Sequence, residues 1–161
     1  MLQRLTNCRI IIIIIIIIAG SSMDCPTDII FVVDESSSIG EANYHLQKDF
    51  LSALVGRLDI DSGHTRVGLA EFSTQVNTDG AFNLSEYSSV ASVQSAISSL
   101  SYSLGTTNTA AVLAYVRITM LTSEAGDRPD APNVVVVMTD GQSNNRNDTQ
   151  VWTMLVKGNL K

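Results

Sequence analysis

The segment of the sequence with the clearest chemical potential is residues 34–38, DESSS, which directly follows an apolar run. Residues 34, 36 and 38 alternate, so an extended loop points the side chains of Asp34, Ser36 and Ser38 to the same side. One carboxylate and two hydroxyls that converge in this way offer only oxygen ligands, which Mg²⁺ and Mn²⁺ prefer. The segment therefore predicts a site for a hard divalent cation.

Two other polar segments offer ligands of the same kind. Residues 105–109, GTTNT, precede a predicted helix and include Thr107, and residues 139–141, TDG, end a predicted strand and include Asp140. Two carboxylates and a few neutral oxygens leave the coordination of a cation incomplete. An outside ligand is then expected to occupy the open position.

Each of these motifs also has an ordinary structural interpretation. Serine-rich turns often cap a helix, and Ser38 lies just before a helix predicted to start near Glu41. Asp-Gly after a strand is a common turn. The combination of the motifs, in this order and at the ends of strands, favours the cation site over either interpretation taken alone.

The elements that must position these residues alternate between strands and helices. In the first predicted helix, Leu46, Phe50, Leu54 and Leu58 recur at every fourth position and form the expected buried stripe. Residues 77–80 are predicted to form a turn, and residues 127–132 a loop. The predicted strands are 29–33, 67–72, 81–84 and 134–138, and the predicted helices are 41–58, 90–100 and one that starts near Thr109.

This alternation predicts an α/β fold with a doubly wound, mostly parallel, Rossmann-like sheet. The closely spaced second and third strands suit an antiparallel pair at one edge of the sheet. In such folds ligands bind at the carboxyl ends of the strands, where the chain order reverses. If the first and last strands are neighbours, Asp34 and Asp140 face each other there.

The composition restricts the functional class. The chain has 161 residues, which suits one domain, and 45% of them are hydrophobic, enough for a core. The net charge is -6 and the sequence has no cluster of Lys and Arg. A nucleic-acid partner is therefore not expected, because phosphate binding needs a concentrated basic surface.

The N-terminal segment has the pattern of a secretory signal peptide. Arg4 and Arg9 are followed by nine isoleucines at 10–18 and then by small residues, so residues 1–22 are predicted to be removed. The apolar run is too short for a membrane span, although an uncleaved anchor is the alternative. Cleavage would remove Cys8 and leave Cys25 either with a partner elsewhere or as a buried free thiol. A secreted, extracellular protein is expected.

Four motifs resemble the von Willebrand factor type A (VWA) family, in particular the copies in matrilins, non-fibrillar collagens and integrin I domains. They are 29–40 (IIFVVDESSSIG), 66–73 (RVGLAEFS), 105–110 (GTTNTA) and 134–143 (VVVVMTDGQS). The resemblance implies a metal-ion-dependent adhesion site that holds Mg²⁺ or Mn²⁺ through Asp34, Ser36, Ser38, Thr107 and Asp140. A protein partner, such as collagen or another matrix protein, would complete the coordination with an acidic side chain.

The resemblance covers residues 24–150, and the sequence departs from the family pattern at its C-terminal end. Family members continue with two further strands, whereas this sequence ends at Lys161. Residues 24–161 are therefore expected to form a partial VWA domain that lacks its last strands, with the apolar strand 134–138 at a sheet edge. Such an edge is an aggregation hazard. A truncated fragment without function is consequently one alternative to an adhesion module.

A metal-dependent hydrolase is the other alternative, and the sequence favours it least. An aspartate nucleophile at Asp34 would be expected to have a second acid two residues later, where Ser36 stands. The sequence also lacks a glycine-rich phosphate loop and a Ser-His-Asp set. We therefore expect no enzyme activity. Asn83 and Asn147 begin Asn-X-Ser/Thr triplets and are predicted glycosylation sites if the chain is secreted.

Overall fold

The computed structural model describes residues 26–140 and 143–159. The predicted signal peptide and Cys25 lie outside these residues. Four strands form the sheet: β1 (Thr27–Asp34), β2 (Thr65–Phe72), β3 (Val76–Phe82) and β4 (Asn133–Met138). The α-helices are α1 (Glu41–Val55), α2 (Val90–Ser99), α3 (Thr109–Tyr115) and α4 (Arg146–Asn159), and a π-helical turn, Val116–Met120, extends α3.

The strands lie in the order β3-β2-β1-β4. β1 pairs in parallel with both β2 and β4, and β3 pairs antiparallel with β2. The predicted fold class, a mostly parallel sheet with an antiparallel edge strand, is confirmed. Because β1 and β4 are parallel neighbours, their carboxyl ends bring Asp34 and Asp140 to one edge of the sheet. Within the described residues, β4 forms the other edge.

Helices cover both faces of the sheet, which explains why β1 is apolar without alternation. Phe31 and Val33 pack on one side of the sheet with α1 and α2, and Ile30 and Val32 pack on the other side with α3. Each of these four side chains is at most 1% exposed to solvent. The central strand is thereby fixed from both sides, and the loop that follows it starts from a rigid position.

The prediction of which face of α1 is buried is wrong in part. Leu46 is 52% exposed and Phe50 is 41% exposed, while Leu54 and Leu58 are only partly buried at the margin of the core. The helix carries a second set of residues with helical spacing, and that set faces the sheet: Tyr44, Gln47, Leu51 and Val55. The helix also ends at Val55 and not at residue 58.

The predicted turn at residues 77–80 is also wrong, because these residues belong to β3. The reversal between β2 and β3 lies earlier, where the Ser73 amide donates to the Gln75 carbonyl at 3.0 Å. The pairing of β2 with β3 shifts register between Leu69 and Glu71. This irregular edge pairing accommodates Gly80, and a Cβ on Gly80 would collide with the carboxylate of Glu71.

Candidate metal centre

Asp34, the last residue of β1, is fully buried and held by two hydrogen bonds. Its Oδ1 accepts from the Ser36 amide at 2.8 Å, and its Oδ2 accepts from the Thr139 hydroxyl at 2.6 Å. Thr139 directly follows β4. The carboxylate is therefore fixed between the ends of two neighbouring strands, where the sequence predicted it to lie.

The three predicted hydroxyl ligands form a continuous hydrogen-bonded row. The Thr107 hydroxyl donates to Ser36 Oγ at 3.2 Å, and Ser36 Oγ lies 3.1 Å from Ser38 Oγ. Ser38 Oγ donates in turn to Asp140 Oδ1 at 3.1 Å. The structure thus brings all five sequence-predicted side chains into one group at the carboxyl edge of the sheet.

The interpretation of Ser38 as a helix cap is not supported by this geometry. The N-cap of α1 is Gly40, and no side chain caps the helix there. Gly40 has a φ of 74°, a backbone conformation that glycine adopts without strain. The Ser38 hydroxyl instead points towards Asp140, with which it hydrogen-bonds.

Tyr102, which the sequence analysis did not single out, fixes the loop that carries the serines. Its hydroxyl donates to the Ser36 carbonyl at 3.0 Å and accepts from the Gly40 amide at 3.2 Å. A tyrosine beyond the end of a predicted helix carries no sequence signal for this contact, because the two segments are distant in sequence.

Gly105 joins the serine loop to the loop of Thr107. Its carbonyl accepts from the Ser37 amide at 2.9 Å, and its own amide donates to Ser37 Oγ at 3.0 Å. Its φ is 133°, and a Cβ there would lie within 2.9 Å of the side-chain oxygens of Ser73 and Thr74. A larger residue would push the loops apart, so glycine at this position keeps Thr107 beside Ser36.

The electrostatics of the group favour a cation. Burial is the main cause that raises the pKa of Asp34; hydrogen bonds from Ser36 and Thr139 oppose the shift, and the nearby charge of Asp140 adds to it. Neither Asp34 nor Asp140 forms an ion pair with a basic side chain among the described residues. Two neighbouring carboxylates without a positive partner are electrostatically unfavourable, and a bound cation would relieve this.

The donor set fits a hard divalent cation. Within residues 26–140 and 143–159, no group of three or more His, Cys, Asp or Glu could hold a metal ion. A site here must therefore combine the two carboxylates with neutral hydroxyls, all of them oxygen donors. Such ligands suit Mg²⁺ or Mn²⁺ better than metals that prefer nitrogen or sulfur.

The two predicted glycosylation acceptors lie in different surroundings. Asn83 follows β3 and is half-buried, and its backbone amide donates to Glu86 Oε2 at 3.2 Å. Asn147 is exposed in the first turn of α4. The nearby Asn144 amide donates to the Thr107 carbonyl at 2.9 Å, so a glycan on Asn147 would stand close to the candidate metal centre. Both glycosylation sites stay predictions.

Residues 28–159 match the family model described as "von Willebrand factor type A domain". The chain belongs to the von Willebrand factor type A domain family. The resemblance carried by the four sequence motifs is thus confirmed. None of the helices in the described part of this VWA domain is long and apolar enough to cross a membrane.

Relatives of this VWA domain include matrix proteins. It is 39% identical over 120 residues to the collagen alpha-4(VI) chain of Mus musculus, which covers 73% of this chain and 5% of that protein. It is 33% identical over 125 residues to matrilin-1 of Homo sapiens, which covers 78% of this chain and 25% of that protein. The VWA domain therefore spans a quarter or less of the length of these two relatives.

Solved structures similar to this one include proximal thread matrix protein 1 from the mussel byssus. The TM-score is 0.76 at 28% identity, and the match covers 84% of this chain and 36% of that chain. One structure of the same mussel protein has a zinc-occupied MIDAS motif, with a TM-score of 0.76. This likeness bears out the α/β fold with its flanking helices.

Proposed function

We propose that this VWA domain is an extracellular adhesion module that binds a protein partner through a bound divalent cation, Mg²⁺ or Mn²⁺. The observation that carries the proposal is the row of three hydroxyls at the carboxyl edge of the sheet, which ends at Asp140, together with Asp34, which accepts from the amide of Ser36 in the same row. The proposed ligand residues are Asp34, Ser36, Ser38, Thr107 and Asp140.

The division of labour follows from the chemistry of the side chains. Asp34 and Asp140 supply negative charge, whereas the hydroxyls of the other three supply neutral oxygen. Thr139 orients Asp34 by its 2.6 Å hydrogen bond and is a positioning residue. Five oxygen ligands from the chain would leave one position of an octahedral Mg²⁺ open to a further carboxylate. When bound, the cation would act as an electrostatic bridge between the domain and an acidic side chain of the partner.

The extracellular setting is supported by the kinds of protein that this chain is similar to. Collagen alpha-4(VI) and matrilin-1 are relatives, and the mussel byssus protein is a structural neighbour with a zinc-occupied MIDAS motif. Zinc in that neighbour supports a divalent cation, while the oxygen-only donor set of this chain favours Mg²⁺ or Mn²⁺. The signal peptide proposed at residues 1–22 would direct secretion. Collagen or another matrix protein is the proposed partner.

The enzyme alternative has less support. Ser36 stands where a second acid would assist an aspartate nucleophile, and its hydroxyl is engaged with Ser38 and Thr107. The relatives named above are collagen and matrilin chains. We therefore propose a binding function without catalysis.

A binding assay on immobilised collagens and other matrix proteins tests the proposal. The secreted chain is compared in Mg²⁺, in Mn²⁺ and in EDTA, beside Asp140→Asn and the matched control Asp130→Asn, an exposed aspartate in the loop before β4. We expect binding that needs the cation, that Asp140→Asn abolishes and that Asp130→Asn retains. Binding that is equal in Mg²⁺ and EDTA would refute the cation bridge.

A further inference from the structure

Asn147 is an exposed asparagine near the candidate metal centre that the proposed binding function does not use. It lies in the first turn of α4 and begins the triplet Asn147-Asp148-Thr149. The neighbouring Asn145 caps the helix, because its Oδ1 accepts from the Asp148 amide at 3.1 Å. The Asn147 side chain, in contrast, makes no hydrogen bond with any described residue. Its amide nitrogen is therefore available for modification.

The start of α4 is fixed beside the loop that carries Thr107. The Asn144 amide donates to the Thr107 carbonyl at 2.9 Å, and the Thr149 hydroxyl donates to Ser143 Oγ at 2.7 Å. Asn147 follows Asn144 by three residues, a span of at most about 11 Å along the chain. Because the Thr107 hydroxyl belongs to the candidate metal centre, a large group on Asn147 would stand at the rim of that centre.

The side chain of Asn147 lies on the outer side of α4. Thr149 and Thr153 are partly buried on the side of the helix that faces the domain, where α4 contacts α3. Asn147 comes two positions before Thr149, which is about 200° around an α-helix. A bulky group on Asn147 would therefore not displace α4 from α3.

The triplet at Asn147 is an acceptor for N-linked glycosylation. In that reaction Asn147 Nδ2 forms a bond to C1 of an oligosaccharide and loses a proton, while the bond between C1 and a lipid diphosphate breaks and the lipid diphosphate leaves. The donor is a lipid-linked oligosaccharide diphosphate of the secretory pathway. The signal peptide proposed at residues 1–22 would bring the chain to this donor.

We propose that an N-linked glycan on Asn147 regulates access to the metal centre and restricts the partners to those that present their carboxylate on a narrow segment. A broad acidic surface would meet the glycan on the α4 side before its carboxylates reached the cation. The inference rests on the proposed function, because it concerns access to the bound cation. The glycan adds bulk and no ligand, so the affinity for the cation itself should not change.

Asn83 offers a matched control, because it begins the other acceptor triplet and lies further from the metal centre. It follows Phe82, which pairs with Leu69 of β2, whereas β2 reaches the carboxyl edge of the sheet at Phe72. The three residues between these positions span about 10 Å of strand. A glycan on Asn83 should therefore leave access to the cation unchanged.

Surface plasmon resonance on a carboxylate-terminated monolayer measures access by a broad acidic surface. The secreted chain is made in cells that attach neutral oligomannose glycans, and mass spectrometry of the glycopeptide reports the occupancy of Asn147. The parent, Asn147→Gln, Asn83→Gln and the parent trimmed by an endoglycosidase are compared in Mg²⁺ and in EDTA. We expect an occupied Asn147, and Mg²⁺-dependent binding at least about fivefold tighter for Asn147→Gln and the trimmed parent than for the other two.

Two further measurements separate access from the metal site itself. Calorimetry should give the parent and Asn147→Gln the same affinity for Mg²⁺. Relaxation of the protons of glutarate, a small dicarboxylate, by bound Mn²⁺ should also be the same in both, because a small carboxylate passes the glycan. Asp34→Asn, which removes a proposed ligand, shows the binding to the monolayer that does not need the cation.

An unmodified Asn147 in the secreted chain would overturn the inference. Equal binding of the parent and Asn147→Gln to the monolayer would overturn it as well. Failure of the proposed function would appear differently, because Asn147→Gln would then bind neither Mg²⁺ in the calorimeter nor the monolayer in a Mg²⁺-dependent manner. That result would overturn both.

Discussion

Glu71 lies buried on β2 and accepts a hydrogen bond from the Tyr44 hydroxyl of α1. Burial is the main cause that raises the pKa of Glu71 from 4.5 to about 7; the charge of Glu35 adds to the shift, and Tyr44 and Lys48 oppose it. Burial also raises the pKa of Tyr44, which therefore stays a donor. The other oxygen, Oε2, has no partner among the described residues. Replacing the carboxyl with an amide should therefore stabilise the fold at neutral pH.

The magnitude follows from proton linkage. Between pH 4.5 and about 7 the folded chain keeps a proton on Glu71 that the unfolded chain releases, so the free energy of unfolding falls as pH rises through this window. The full effect of such a shift is about 3 kcal/mol at 1.4 kcal/mol per pKa unit. Glu71→Gln keeps an acceptor for the Tyr44 hydroxyl and removes the titration. We expect the variant to match the parent below pH 4.5 and to exceed it by about 1 to 3 kcal/mol at pH 8.

Urea unfolding of the parent, Glu71→Gln and the control Glu86→Gln at pH 4.5, 6 and 8 measures this difference. Glu86 is exposed, and its substitution should change the free energy of unfolding by less than about 0.5 kcal/mol. If Glu71→Gln is less stable than the parent at pH 8, or if the difference between them does not change with pH, burial does not control this carboxyl and the reasoning is refuted.

Three further substitutions test the fold at two other places. Arg128→Met should lower the free energy of unfolding in urea by about 3–5 kcal/mol. The reason is that Arg128 Nη2 lies 2.7 Å from a carboxylate oxygen of Asp28, and the variant would leave that buried carboxylate without its partner. A loss below about 1 kcal/mol would contradict this. Leu51→Ala should lower the free energy of unfolding by about 2–5 kcal/mol and Leu46→Ala by less than about 1 kcal/mol, because Leu51 is buried and Leu46 is half-exposed. If Leu46→Ala instead had the lower thermal midpoint, α1 would present its other face to the sheet.

The parts of the fold that the sequence predicted well are those with a strong local signal. β1 and β4 are continuous apolar runs that end at polar residues, which is typical of strands buried on both faces. The rule that ligands bind at the carboxyl ends of such strands then placed Asp34 and Asp140 at one edge. The loop 105–109 was identified from its polar residues, but the choice of Thr107 within it came from the family resemblance, since several of its residues could supply an oxygen.

The errors arose where two local patterns compete. In α1, Leu46 and Phe50 form as good an apolar stripe as Tyr44 and Leu51, and only contacts with β2 and α2 decide which one is buried. Tyr44 is favoured because its hydroxyl reaches the buried Glu71. Propensity alone does not contain this information.

Long-range polar contacts were likewise beyond the sequence. Arg128 lies in the loop 127–132, which the sequence predicted only from residues that interrupt helices and strands. In the structure its guanidinium donates to Asp28 and to the carbonyls of Thr27, Gly63 and His64. This cluster fixes the amino end of β1, opposite the candidate metal centre. Side-chain bonds between residues about 100 positions apart in sequence leave no periodic signal.

Calorimetric titration of Mg²⁺ into the metal-free chain tests most directly whether this domain holds a divalent cation. The parent and the exposed-site control Asp130→Asn should each bind one cation per chain, because the candidate metal centre is one group of two carboxylates and three hydroxyls. Asp34→Asn should bind at least about tenfold more weakly, since it removes one of the two charges and about 1.4 kcal/mol or more of attraction. A folded parent that binds no Mg²⁺, or an Asp34→Asn variant that binds it as tightly as the parent, would contradict the account.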